Sequence, residues 1–230
     1  SPLARVIEKL GDAAGALCVA LGVGHARPEA RYLAVLLGAE VKHPSVAELV
    51  VRCVFDREPR TAYLAASVLD HMLLPKDGRA PSARAALNQV RNALEKGLDE
   101  QRFAAARAAG QIHHAPFVPA LIELLDGRSR ELGELALAGL REITHQDLGT
   151  GPRRWRAWWK LNGPRRRVEW ILEGLGHKDR ELRQGAQRDL HALTGEYLGY
   201  HHDAPKPERD AAVARWRAWW EINRSRADLP

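Results

Sequence analysis

From Pro28 onward, apolar residues return every three or four positions and are cut at short intervals by Pro, Gly and His-Pro turns. That period is the signature of helices with one buried face. A first helix runs from Pro28 through Tyr32, Leu33, Val35, Leu36 and Leu37, with Pro in the first turn, where its missing N–H costs nothing. After His43-Pro44 a second helix carries Val46, Leu49, Val50, Cys53 and Val54. The pattern restarts at Pro59, where Tyr63 and Leu64 stand thirty-one residues after Tyr32 and Leu33. Beyond the loop Pro75 to Pro81, the spacing predicts a helix over Ser82 to Lys96 with Ala86, Val90 and Leu94 inward. A third start lies at Asp99, with Ala104 to Ala109 nearly free of side-chain bulk, a turn at His113 to Pro116 and a helix over Phe117 to Leu125. Further starts fall near Ser129 and Asp179.

The later part repeats itself. Shifted by fifty residues, Val118 to Gly149 falls on Val168 to Gly199 without a gap: Leu121 on Ile171, Arg130 on Arg180, Leu140 on Leu190, Thr144 on Thr194. Each copy ends in a Trp-Arg-Ala-Trp-Trp string, Trp155 to Asn162 and Trp216 to Asn223. The offset there is sixty-one, so the second copy carries an eleven-residue insertion between Gly199 and Trp216. A chain repeating a unit of this size builds an array, because one helical hairpin cannot bury its own apolar face.

Composition agrees with helices. The chain is rich in Ala, Leu, Arg and Glu and poor in the β-branched alternation that strands require. No apolar run approaches the roughly 20 residues needed to span a bilayer, so no membrane contact is expected. Ala13 to Val23 reads as a buried helix rather than a signal peptide, and Cys18 and Cys53 as small core residues. Two cysteines make no disulfide framework, and a reducing cytoplasm is the expected location. A first residue of Ser rather than Met suits a trimmed piece of a longer protein.

The segment Asp99 to Thr144 resembles HEAT repeats of the short kind first associated with phycobilisome lyases. It has their charged start, Ala-rich first helix ending near Gly, turn with Pro and aliphatic second helix. Earlier hairpins depart from that pattern, with Pro28-Glu29 and Glu58-Pro59 at their starts. The resemblance implies an all-α fold, an α-solenoid of HEAT-like hairpins with Trp-rich third helices in the last two units. The expected organisation is one continuous solenoid domain: capping helices over 1–27, with Leu3, Val6, Ile7 and Leu10 on one face; HEAT-like hairpins over 28–127; and two units ending in Trp helices over 128–230.

Spacings of three and four put Trp155, Trp158 and Trp159 on one helical face, and Trp216, Trp219 and Trp220 likewise, with Leu161 and Ile222 near that seam. Packing explains recurring faces of this kind, and an aromatic platform for nucleobases is the rival reading. The expected core is Leu33, Leu36, Leu64, Val68, Ala105, Leu121, Leu125, Leu140, Trp155, Trp159, Ile171, Leu175, Leu190, Trp216 and Trp220.

Charge adds two candidate sites. The net charge is +6 with a pI near 9.6. No acidic residue lies between Asp147 and Glu169, while Arg153, Arg154, Arg156, Lys160, Arg165, Arg166 and Arg167 all do. Such a segment is either a solvated face with arginines lying over Trp, or an anion or nucleic-acid contact. The loop from Gly195 to Arg209 gathers Tyr197, Tyr200, His201, His202 and Asp203 as a candidate binding loop. Neighbours in sequence rarely face one ion, so no metal is assigned to it, and no cofactor.

No phosphate loop, nucleophile elbow or zinc-hydrolase helix is present in the sequence. The expectation is a non-catalytic scaffold that binds another protein along its curved helical surface. The alternative is nucleic-acid binding, including the HEAT-like alkylpurine DNA glycosylases, which the chain resembles in helical repetition and basic charge. A chromophore lyase, suggested by the repeat family, has no residue set here to support it.

Overall fold

A computed structural model describes residues 11–226 together with Arg5, Lys9, Leu229 and Pro230. Leu3, Val6, Ile7 and Leu10 of the expected capping face lie outside the described residues. Among the described residues the chain is all-helical, without β-strands. It divides into two compact units, 1–120 and 121–230.

In the first unit, α1 (Asp12–Val23) packs on α2 (Pro28–Glu40), and α2 on α4 (Pro59–Met72). Between them α3 (Val46–Val50) tightens into a 3-10 turn, Val51–Phe55. Two features of the sequence set these contacts. Pro28 and Pro59 each open a helix from an extended residue, and small residues let backbones approach. A Cβ added to Gly22 would stand 2.4 Å from Ala34 Cβ, and one on Gly38 2.8 Å from Val50 Cγ2. The helix expected over Ser82 to Lys96 starts at Ala80 and is interrupted at Leu87, giving α5 (Ala80–Ala86) and α6 (Asn88–Lys96), with Ala86, Val90 and Leu94 buried as expected. The Ala-rich α7 (Asp99–Ala109) packs closely on α6. Arg79 staples α2: its guanidinium is buried, donates to the carbonyls of Gly38, Ala39 and Val41 at 2.8–3.0 Å, and is held by Asp77.

Three expectations fail on this unit. Leu33 is 58% exposed, because α2 buries Ala34, Val35 and Gly38 instead and Leu33 points away from that face. Helix α1 is buried only along Gly15, Ala16 and Val19, which leaves Leu17, Leu21 and Cys18 in solvent. Leu36 and Leu64 are half-buried rather than core.

Helix α8 (Val118–Leu124) spans the boundary, and the second unit continues with α9 (Arg130–Thr144), α10 (Pro152–Asn162), α11 (Arg167–Gly174), α12 (Arg180–Thr194) and α13 (Lys206–Asn223). The fifty-residue repeat is visible atom by atom. Helices α9 and α12 both run 15 residues, opened by side-chain caps from Ser129 and Asp179. Both end on a threonine whose hydroxyl donates to the carbonyl four residues back: Thr144 to Leu140 at 2.6 Å, Thr194 to Leu190 at 2.7 Å. The same hydroxyls accept from the backbone N–H of Gln146 and Glu196. The chain then turns through left-handed residues, His145 (φ 54°) and Gly195 (φ 73°), and again at Gly149 and Gly199. Gly suits such positions, and His145 tolerates its own because its ring is held from the far side, as described below.

Trp155, Trp216 and Trp220 are core residues as expected, while Trp159 and Leu125 are half-buried. The ring that organises the first Trp helix is one the pattern did not single out. Trp170 on α11 is fully buried, takes Trp158 and Trp159 edge-on at 5.3 and 5.8 Å, and donates its N–H to Asn162 O at 3.0 Å. Leu161 and Ile222 do not join the seam. They are 75% and 81% exposed, since six residues past the first Trp of each string rotates them well off its face.

Candidate functional site

The basic segment of the second unit is mostly committed to internal partners. Arg167 opens α11 yet is buried: its guanidinium donates to Asp189 on α12 and, at 3.0 Å, to Ile143 O at the end of α9. Asp189 also meets His145 Nε2 at 3.1 Å. These three buried charged or polar groups tie α9, α11 and α12 together, so Arg167 does not belong to a solvent-facing patch. Arg165 is held by Glu169, Glu173 and Asn162. Arg166 donates to Arg226 O and lies over the Trp220 ring at 5.9 Å. Arg156 reaches from α10 to Glu123 and Asp126. Arg153 and Arg154, in the first turn of α10, are exposed and form no ion pair among the described residues.

The candidate loop is ordered by the insertion. Tyr200 is buried and donates its hydroxyl to Leu175 O at 2.5 Å, and burial raises its pKa. His202 pairs through Nδ1 and its backbone N–H with Gln187 Oε1, both at 3.0 Å, and burial lowers its pKa. His201 stacks on His202 at 4.7 Å. Asp203 takes a two-pronged bond from Arg180, which holds its carboxyl down at about 2, below the usual carboxylate range. Arg183 fastens both ends of the arrangement through the carbonyls of His177, Lys178 and His202. Tyr197 stays outward, 65% exposed, and His201 and Asp203 are exposed as well.

Between this loop and α12 lies a half-open groove of about 430 Å³. Leu175, Leu190, Tyr200 and Trp216 are its buried residues, and Gln184, Gln187, Arg188, His191, Glu196, Tyr197 and His202 complete it. Tyr197, Tyr200 and His202 are thus brought to one place, while Asp203 is turned to Arg180 and His201 is not among the groove's residues.

No protein-family model and no curated protein matches this chain.

Sequence reasoning found the loop but not the groove, because half of the groove comes from α12 and from Trp216, which the pattern assigns to packing. The buried Arg167–Asp189–His145 cluster was missed for a related reason. Under the fifty-residue shift its members fall on Phe117, Gly139 and Gly195, so that failure of the repeat was the available signal. Among the described residues, no three His, Cys, Asp or Glu side chains converge to hold a metal ion, and no helix is long and apolar enough to cross a membrane.

Proposed function

We propose that this chain is a non-catalytic, cytoplasmic scaffold, a HEAT-like α-solenoid that binds another protein through its helical surface. The observation that carries the reading is the pair Leu161 and Ile222. They occupy the same place in the two Trp helices, and each leaves a large aliphatic side chain in water. Scattered apolar residues need no explanation, but the same exposed position recurring with the repeat suits a surface that meets a partner. The first unit adds exposed Leu17, Leu21, Leu33 and Tyr63. The charged side chains with the most elaborate partners, Arg79, Arg167 and Arg183, hold the fold together.

The test is affinity capture from native extract with the wild-type chain and the Leu161→Glu/Ile222→Glu variant in parallel. Both sites are exposed, so stability should change by no more than about 0.5 kcal/mol. Proteins retained by the wild type and released by the variant are expected; identical retention by both refutes the reading.

Exposed Arg153 and Arg154 favour the alternative, a phosphate-backbone contact. Gel retardation of duplex or single-stranded DNA that weakens with salt and disappears in Arg153→Ala/Arg154→Ala supports it, and release of free base from alkylated DNA would make the chain a glycosylase.

A further inference from the structure

The two Trp helices carry the same tryptophan face and differ on the opposite side. On α10 the outward residues are Arg153, Arg154, Ala157, Lys160 and Leu161, all exposed. At about 100° and 1.5 Å per residue they share an arc of about 120° and a length of about 12 Å. Helix α10 carries no carboxylate, and Arg153, Arg154 and Lys160 form no ion pair among the described residues. Leu161, 75% exposed, lies in the same arc as these three cations. Ala157 between them has too little bulk to hold a partner's backbone away.

The second copy shows that packing of the Trp helix does not require these charges. Its residues equivalent to Arg153, Arg154 and Lys160 are Ala214, Arg215 and Glu221. One position is neutral, Arg215 donates to Leu198 O at 2.9 Å, and Glu221 is paired with Arg224. Ile222 keeps the exposed aliphatic position without the three free cations. On α10, then, an unneutralised basic face and an exposed leucine occur together, in a chain of net charge +6. Phosphate would satisfy the cations but leave Leu161 in water. The rings that could stack on bases, Trp158 and Trp159, are turned edge-on to Trp170. A protein segment bearing carboxylates and an aliphatic side chain satisfies both halves of the face.

We propose that the outward face of α10 docks an acidic amphipathic helix of another protein. An aliphatic side chain of that helix packs on Ala157 and Leu161, and its carboxylates pair with Arg153, Arg154 and Lys160. Such docking rests on the scaffold reading and narrows it, because the acidic partner is confined to the first copy and Ile222 takes no part.

The probe is a fluorescein-labelled, lactam-stapled peptide holding two copies of Glu-Ala-Ala-Leu-Glu-Glu-Ala, titrated with the full chain and followed by fluorescence anisotropy. Saturable binding that weakens as salt is added is expected. Arg153→Glu/Lys160→Glu should weaken it at least about fivefold and Leu161→Ser at least about threefold, whereas Ile222→Ser should leave it unchanged. All four positions are exposed, and a glutamate in the first turn of α10 suits the helix dipole, so the variants stay folded. No saturable binding up to about 1 mM chain, indifference to the charge reversal or to Leu161→Ser, or an equal loss in Ile222→Ser each overturns the proposal. So does a DNA duplex that displaces the peptide and binds wild type and Leu161→Ser equally, which would give the face to nucleic acid. If the peptide fails while Leu161→Glu/Ile222→Glu still releases proteins captured from extract, this proposal falls and the scaffold reading stands.

Discussion

Replacing Asp189 by Asn tests whether the buried ionic cluster holds the second unit together. The carboxylate is 5% exposed and faces Arg167, itself 4% exposed, with His145 Nε2 at 3.1 Å and Arg188 Nε at 3.3 Å. Asn keeps the shape and one acceptor but removes the charge, so the Arg167 guanidinium stays buried without a counter-ion. Breaking a buried pair from one side costs about 3–5 kcal/mol. For a unit of roughly 110 residues that corresponds to a fall of about 12–20 °C in its melting temperature. All seven tryptophans lie in this unit, between Trp155 and Trp220, so urea unfolding followed by tryptophan fluorescence reads it alone. Removing both charges in Arg167→Met/Asp189→Leu should recover at least about 2 kcal/mol of the summed single losses, because no unpaired ion then remains. If the losses add to within about 0.5 kcal/mol, the two groups do not act together and the reasoning fails.

Glycines give a sharper steric test. A Cβ on Gly174 would stand 2.5 Å from His145 Cβ and 3.1 Å from Ala186 Cβ, so Gly174→Ala should cost about 1–3 kcal/mol, while Gly151→Ala, with nothing within 4 Å, should be neutral or slightly stabilising in the same unfolding assay. Burial pushes the Cys53 thiol up to about 11, whereas Cys18 is exposed; one equivalent of maleimide should label the native chain at pH 8, at Cys18, and a second only after unfolding, as counted by mass spectrometry. Arg180 lowers the Asp203 carboxyl below its unfolded value, so this ionic tie of the loop to α12 is complete above pH about 4 and is lost as pH falls toward 2. Amide exchange over residues 197–204 should accelerate through that window in the wild type and should already be fast, and insensitive to it, in Asp203→Asn.

The sequence by itself determined that the chain is helical, where most helices start and stop, and that two copies of one unit follow each other. Those are local properties: apolar spacing, a Pro in a first turn, a Ser or Asp cap, a threonine closing each long helix on its own carbonyl. They leave the same mark whatever lies next door. The tertiary structure alone decided which face of a weakly amphipathic helix goes inward, and so Leu33, Leu17 and Leu161 ended in solvent while Ala34, Gly38 and Trp170 went in. It also decided that Arg167 is interior, since a guanidinium is buried only when a carboxylate meets it, and the one that does, Asp189 on α12, lies 22 residues away along the chain. The groove follows the same logic. Eleven extra residues announce themselves in the alignment of the two copies, but the groove that the loop shares with α12 and Trp216 exists only in the packed unit.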